Sequence, residues 1–244
     1  MTNREFSDGF DTLLNSYANV PPFGEQKSRI DFSVDEYEKS MFLTDSQEEL
    51  VTLLYTGASL DGKSFEETEQ MRRMLDSLVK TETISTPYTS EGITKLDSSH
   101  TLFQLPENTM FVTTEQVKYN ASGDDCLNNK VVGVVPITQD EYNKIKNNPF
   151  RGANDNRVLR LDCGVVDNRS IVELVANHTI GSYIVRYLEK PTPIVLEDFT
   201  DDELSVNGVS EETPCKLNSL LHKTILERAV LMALKAKTIN NTEK

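Results

Sequence analysis

A chain of 244 residues is long enough for one large domain or two small ones, and it can bury a core without disulfides or a structural metal. Its 39 acidic against 25 basic residues give a formal net charge of −14, which excludes duplex binding carried by Lys and Arg on phosphates; DNA fits only as something a negative wall repels and lets slide. Hydrophobic residues make up 37%, several segments are strongly periodic, and no run approaches the roughly 18 apolar residues of a membrane span, so neither wholesale disorder nor a spanning helix fits.

Residues 5–17, EFSDGFDTLLNSY, put Phe6, Phe10, Leu13, Leu14 and Tyr17 on one face at helical spacing. Asp8 and Asp11 lie near its start, where the helix dipole favours acids. The run NVPPFG then stops the helix. Two readings stand for residues 1–30: a helix packed on its own domain, or an arm whose Phe6, Phe10 and Tyr17 clasp a neighbour.

Residues 33–80 read as helical. SVDE is a capping box, with Ser33 accepting from the backbone of Glu36. TDSQ, Thr44 to Gln47, repeats the pattern and predicts a second helix ending at Gly57. SFEE, Ser64 to Glu67, opens a third that runs through MRRMLDSLV. The expectation is an antiparallel helical pair with a short entry helix.

Between residues 82 and 196 the pattern is that of strands. HTLFQLP and MFVTTEQVKY alternate, NKVVGVVPI and RVLRLDCGVV are apolar runs of strand length, and SIVELVA and SYIVRYLEKPTPIVL follow. SGDD, DCG, VDN and NHTIG supply turns, and one short helix, TQDEYNKIKNN, is capped by Thr138. Residues 197–212, EDFTDDELSVNGVSEE, hold seven acids and no basic residue, and read as a solvated linker with a turn at VNG. Residues 214–237 form a closing helix, where Leu221, Ile225, Ala229, Met232 and Ala233 make a stripe broadened by Leu220, Leu226, Val230 and Leu234. The predicted class is α+β: an N-terminal helical hairpin, a central antiparallel or mixed β region with one short helix, and a C-terminal closing helix, with residues 31–244 as a single domain.

Signatures of chemistry are missing. The sequence has no GxxxxGK[ST], GxGxxG, HExxH or GxSxG. His100, His178 and His222 are isolated, and Cys126, Cys163 and Cys215 are widely spaced without a CxxC, reading as reduced, partly buried thiols. Nothing pairs Cys163 with a base, and Asp201–Glu203 reads as a solvated acidic loop ahead of a cation site. No catalytic residue, metal or cofactor is expected. The start MTNREFSDGF has no secretory apolar core, which predicts cytoplasmic synthesis.

One polar stretch stands out: DEYNKIKNNPFRGANDNRVLRL, residues 140–161. Lys144, Lys146, Arg151, Arg157 and Arg160 face a single acid, Asp155, across 144–160. Asn148-Pro149 turns the chain, and Phe150 follows as an aromatic among polar neighbours. Aromatic plus Arg on a turn is the make-up of an interface anchor; the competing reading tucks Phe150 into the core. The interface candidates in this stretch are Asn148, Pro149, Phe150, Arg151, Asn154 and Arg157, and the acidic Asp201, Asp202 and Glu203 are candidates of opposite charge.

Beyond these local readings, the chain resembles virion structural proteins of crAss-like tailed phages. The motifs FDTLLNSY, DEYEKSMFLTDSQEELVTLLY, SFEETEQMRRMLDSLV, PITQDEYNKIKNNPFRG, RVLRLD, VRYLEKPTPIVLED and CKLNSLLHKTILERAVLMAL carry the resemblance in order along most of the sequence. It implies a non-enzymatic ring protein of the portal–tail collar, typically twelve copies around the DNA exit channel, contacting the portal protein and neighbouring tail rings, with duplex DNA passing unbound. A head–tail completion protein or minor capsid component is the structural alternative within the virion, and an unrecognised virion-associated hydrolase is the alternative from another class.

Overall fold

The computed structural model describes residues 1–18, 34–58, 64–89, 93–120 and 127–242. Among the described residues five α-helices and seven strands follow one another as α1 (Asn3–Ala18), α2 (Glu36–Thr56), α3 (Glu69–Leu75), β1 (Val79–Ile84), β2 (Thr101–Gln104), β3 (Thr109–Tyr119), β4 (Val131–Pro136), α4 (Gln139–Ile145), β5 (Arg157–Val166), β6 (Arg169–Val175), β7 (Ile180–Glu189) and α5 (Ser219–Thr242). The class is α+β, as expected, with an N-terminal helix, central strands and a closing helix. The chain sorts into two compact units, one formed by Met1–Leu78 with Pro191–Lys244, the other by Val79–Lys190.

In the helical unit α1 and α2 pack on α5. Phe6, Phe10 and Leu14 of α1 are buried, as are Leu43, Val51, Ile225 and Ala229. Gly9 lets α1 approach closely, because a Cβ there would lie 2.9 Å from Leu226 Cδ2. The helix start predicted at Thr44 does not exist, since α2 runs unbroken from Glu36 to Thr56. Its polar side chains serve a different purpose. Thr44 Oγ1 accepts from Ile194 N–H at 3.0 Å, Ser40 Oγ accepts from Leu196 N–H at 3.0 Å, and Gln47 Nε2 donates to Thr192 O at 2.8 Å. Ser46 Oγ donates to Ile225 O at 2.8 Å. Ser40, Thr44 and Gln47 thus satisfy backbone groups of Leu196, Ile194 and Thr192, and Ser46 a carbonyl of α5.

The other caps follow the same logic. Asp35 caps α2 by accepting from Glu38 N–H at 2.7 Å, while Ser33, the cap read from the sequence, lies outside the described residues, as does the Pro-Pro break. Gly57 ends α2 at φ 75°, as predicted. The third helix starts later than SFEE suggests, capped by Thr68 accepting from Met71 N–H at 3.3 Å. Ser64 N–H instead donates to Glu67 Oε2 in a turn ahead of it. The closing helix begins at Ser219 rather than 214 and extends to Thr242. The acidic segment is more than a solvated linker: Phe199 and Val206 are buried beside Val195, with Tyr37 edge-on to Phe199 at 5.6 Å. Its VNG turn is present, with Asn207 and Gly208 at φ 49° and 84° between bridged Val206 and Val209.

The other unit is a seven-stranded sheet in the order β1-β7-β3-β4-β5-β6-β2. Every pairing is antiparallel except β4 with β5, where Gly133 to Pro136 run alongside Arg157 to Arg160. Tyr183, Val185, Val117, Val132, Val172 and Phe103 form its buried core. Strand β1 begins at Val79 and Lys80, inside the stretch whose pattern reads as helical. Its VKTETI sequence is exposed over its middle four residues and pairs only with β7, so it carries little of the apolar alternation that marks a strand.

Lys39 shows how α1 is held. It is 3% exposed, and its ammonium donates to Asp11 at 2.7 Å, Glu36 at 2.8 Å and Ser7 Oγ at 3.1 Å. Burial opposes its charge, but the Asp11 and Glu36 carboxylates outweigh that and raise its pKa above the ordinary lysine value. The resulting stabilisation is complete below the unfolded lysine pKa of about 10.4 and is lost only as pH rises through the higher folded value. Lys39→Met should lower unfolding free energy by about 1–3 kcal/mol at pH 7 in a urea titration, a loss that narrows only in strongly alkaline buffer.

Candidate assembly interface

The parallel β4–β5 pair cannot be closed by a hairpin, so a crossover is required, and α4 with its return loop 146–156 is that crossover. Thr138 caps α4 by accepting from Glu141 N–H at 3.2 Å, as predicted. At the other end Asn148 N–H donates to Ile145 O, and Asn148 Oδ1 accepts from Phe150 N–H at 2.9 Å and Arg151 N–H at 3.2 Å. Gly152 closes the turn by donating to Asn148 O at 2.7 Å; a Cβ at this position would lie 2.8 Å from that oxygen.

Arg157 pins the loop from below. Its guanidinium donates to Phe150 O and to Gly152 O, the latter at 3.1 Å. Asn154 bridges Arg157 and accepts from Asn156 N–H at 2.9 Å, while Asp155 meets His178 Nε2 at 2.9 Å. The backbone of 148–157 is thus fixed by its own polar groups. Phe150 is the exception in apolar terms: it is 86% exposed, which removes the reading that tucked it into the core.

The basic character of this stretch is largely spent locally. Arg160 is mostly buried against Glu115 at 2.9 Å, Arg157 serves carbonyls, Lys144 pairs with Asp140 at 2.5 Å and Arg151 with Glu141 at 3.4 Å. Asp140 and Glu141 stand just before residues 144–160 and supply the counter-charge, Asp140 one helical turn from Lys144 and Glu141 across the return loop from Arg151. The surface is therefore an aromatic knob with a near-balanced rim.

Beside it lies a surface the sequence hid. In β4 the outward residues Val131 and Val135 are 51% and 41% exposed, and Gly133 between them has nothing within 4 Å of where a Cβ would stand. Gly133 is in register with Arg157, and Lys130 Nζ donates to Asn156 Oδ1 at 2.7 Å, so this apolar row borders the Phe150 loop. NKVVGVVPI reads as uniformly apolar; only its alternation on one face distinguishes the exposed valines from buried Val132.

The remaining candidates sit in the helical unit. Phe6 and Phe10 are fully buried, with Phe6 5.4 Å from the His222 ring, and Tyr17 is exposed. Asp201 lies in a 3-10 turn that includes Asp202, and Glu203 follows at φ 54° with its side chain exposed.

The sequence profile of the phage tail ring protein 3/4 family matches residues 1–244. The chain belongs to this family. It is 44% identical to Ring protein 3 of Bacteroides phage crAss001 over 239 residues, covering 98% of this chain and 97% of that protein. It is also 29% identical to Ring protein 4/5 of the same phage, over 96% of this chain and 92% of that one. The crAss-like resemblance read from the motifs is borne out, and a structural ring protein of the virion is what these relatives indicate.

The polar groups of this ring protein that look closest to chemistry are set against it. His100 Nδ1 lies 2.7 Å from Glu173 Oε1, and Cys163 Sγ lies 3.5 Å from Glu173 Oε2. Burial and the Glu173 charge push the Cys163 thiol up to about 12, away from the thiolate a nucleophile needs. Burial also raises Tyr142, with Asp97 and Glu173 adding to it. Among the described residues no cluster of three or more His, Cys, Asp or Glu is arranged to hold a metal. With the folded chain at pH 8, iodoacetamide should alkylate Cys163 at least about a hundredfold more slowly than in urea, read by peptide mass spectrometry, because only about one thiol in ten thousand is ionised there.

Proposed function

We propose that this chain is a subunit of a closed homo-oligomeric ring in the neck or tail of a crAss-like phage, joined to its neighbours through the Phe150 loop and the outer row of β4. The observation that carries this is Phe150 itself: an 86% exposed aromatic on a loop whose backbone is already fixed by Asn148, Gly152 and Arg157. A side chain presented this way loses little entropy on binding, and aromatic anchors with an Arg beside them dominate interface energies. The exposed valines around the open space over Gly133 extend the apolar area. A ring needs two different patches per subunit, and the exposed acids Asp201 and Glu203 lie in the other unit from this face.

The ring joins the portal to the rest of the tail and surrounds the DNA path. The net charge of −14 supports that reading, since a negative lumen lets a duplex slide without sticking. Twelve copies and contact with the portal are what the resemblance to collar proteins implies. The chain works by packing and performs no catalysis.

Phe150→Ala should leave folding stability within about 0.5 kcal/mol and weaken self-association at least about thirtyfold in sedimentation velocity. Arg151→Glu should weaken it with the fold unchanged. Reversing Arg157 is a poorer probe, since that side chain holds the loop. Undiminished assembly by Phe150→Ala would remove this face from the subunit contact.

A further inference from the structure

Helix α4 has seven residues, too few to hold a pose by its own hydrogen bonds. Its buried apolar contact is Ile145, near its end. Its N-terminal side is tied by Ile137 N–H donating to Arg160 O at 2.9 Å and Gln139 Nε2 to Asp162 O at 3.2 Å. Midway, Tyr142 reaches the buried His100. The Tyr142 hydroxyl lies 3.2 Å from His100 Nε2, and the two rings meet edge to face at 5.7 Å and 79°.

The directions of these bonds follow from their partners. Glu173 is 1% exposed and accepts from Leu96 N–H at 2.8 Å as well as from His100 Nδ1 at 2.7 Å. Nδ1 therefore carries the proton toward the carboxylate, and in the neutral imidazole Nε2 is left to accept from Tyr142 O–H. One carboxylate on β6 thus collects the strap 96–100, the Cys163 thiol on β5 and, through the imidazole, α4. His100 is 4% exposed, and its own N–H bonds Asp97 O at 3.1 Å, which fixes the strap that carries it.

We infer that His100 and Glu173 are positioning residues for assembly: through Tyr142 they set the pose of α4, and through α4 the direction in which Phe150 is offered to the next copy. This rests on the Phe150 face being the subunit contact. The imidazole suits the task because one face-fixed ring accepts on one side and donates on the other, so Tyr142 is held in direction as well as in distance. Phe150 lies five residues beyond the end of α4, and a small rotation of this short helix moves the knob away from its partner surface.

The test is Tyr142→Phe, which keeps the ring and deletes only the hydroxyl. Amide exchange over residues 139–156 should speed by about three- to tenfold, the size of one lost neutral hydrogen bond, with β5 and β6 unchanged. The concentration for half-assembly should rise by at least the same factor, although the Phe150 side chain is intact. His100→Gln, which can accept from Tyr142 through its side-chain oxygen, should recover part of what His100→Ala loses. Unchanged exchange in Tyr142→Phe, or faster exchange with unchanged assembly, overturns the positioning role. If Phe150→Ala blocks assembly in the same assay while Tyr142→Phe alters nothing, only this inference fails; if Phe150→Ala also assembles like the parent chain, both readings fall.

Discussion

The parallel pairing of β4 with β5 is the constraint from which the candidate interface descends. All other neighbours in the sheet are antiparallel and can be joined by turns, bulges or longer excursions. A parallel pair needs its chain carried back along the sheet, and the connection has to be packed against something. Here the carrier is the short helix α4, and the return is a loop rigid enough to hold a phenylalanine in water. Had β4 and β5 formed a hairpin, Phe150 would have no platform, and the outer valines of β4 would not border one.

Polar side chains inside the protein do the fastening in both units. On α2, Ser40, Thr44, Ser46 and Gln47 are buried and bond backbone groups of residues 192–196 and of α5. In the sheet, Glu115 is shared by Arg160 and the Tyr183 hydroxyl, and Glu173 by three donors. Buried acids of this sort invite a search for catalysis. Their neighbours are shifted in the direction that stores protons rather than the one that releases them, as burial raising Tyr183 and Cys163 illustrates.

The sequence was most legible where periodicity and punctuation agreed. RVLRLDCGVV is β5 residue for residue, Gly57 ends α2 at positive φ, and Thr138 caps α4. It misled where one residue type serves two purposes. Ser and Thr cap helices, but they also bond a neighbouring backbone, and only tertiary context separates Thr44 from a true cap. Edge strand β1 is not among the runs the sequence marks individually, because an edge exposed to water needs no apolar alternation. Phe150 was found as a candidate from its polar surroundings, but its exposure was not readable, since nothing in NNPFRG says which way the ring points. Val131 and Val135 were hidden inside an apolar run that looks buried on both faces.

The most direct test of the central claim places a photoreactive benzoylphenylalanine at position 150 and irradiates the assembled particle. A subunit contact through Phe150 predicts a cross-link between two copies of this chain, at a site outside residues 148–157, with a yield that disappears in the monomer. Cross-links confined within one copy, or absent from an intact assembly, would contradict it.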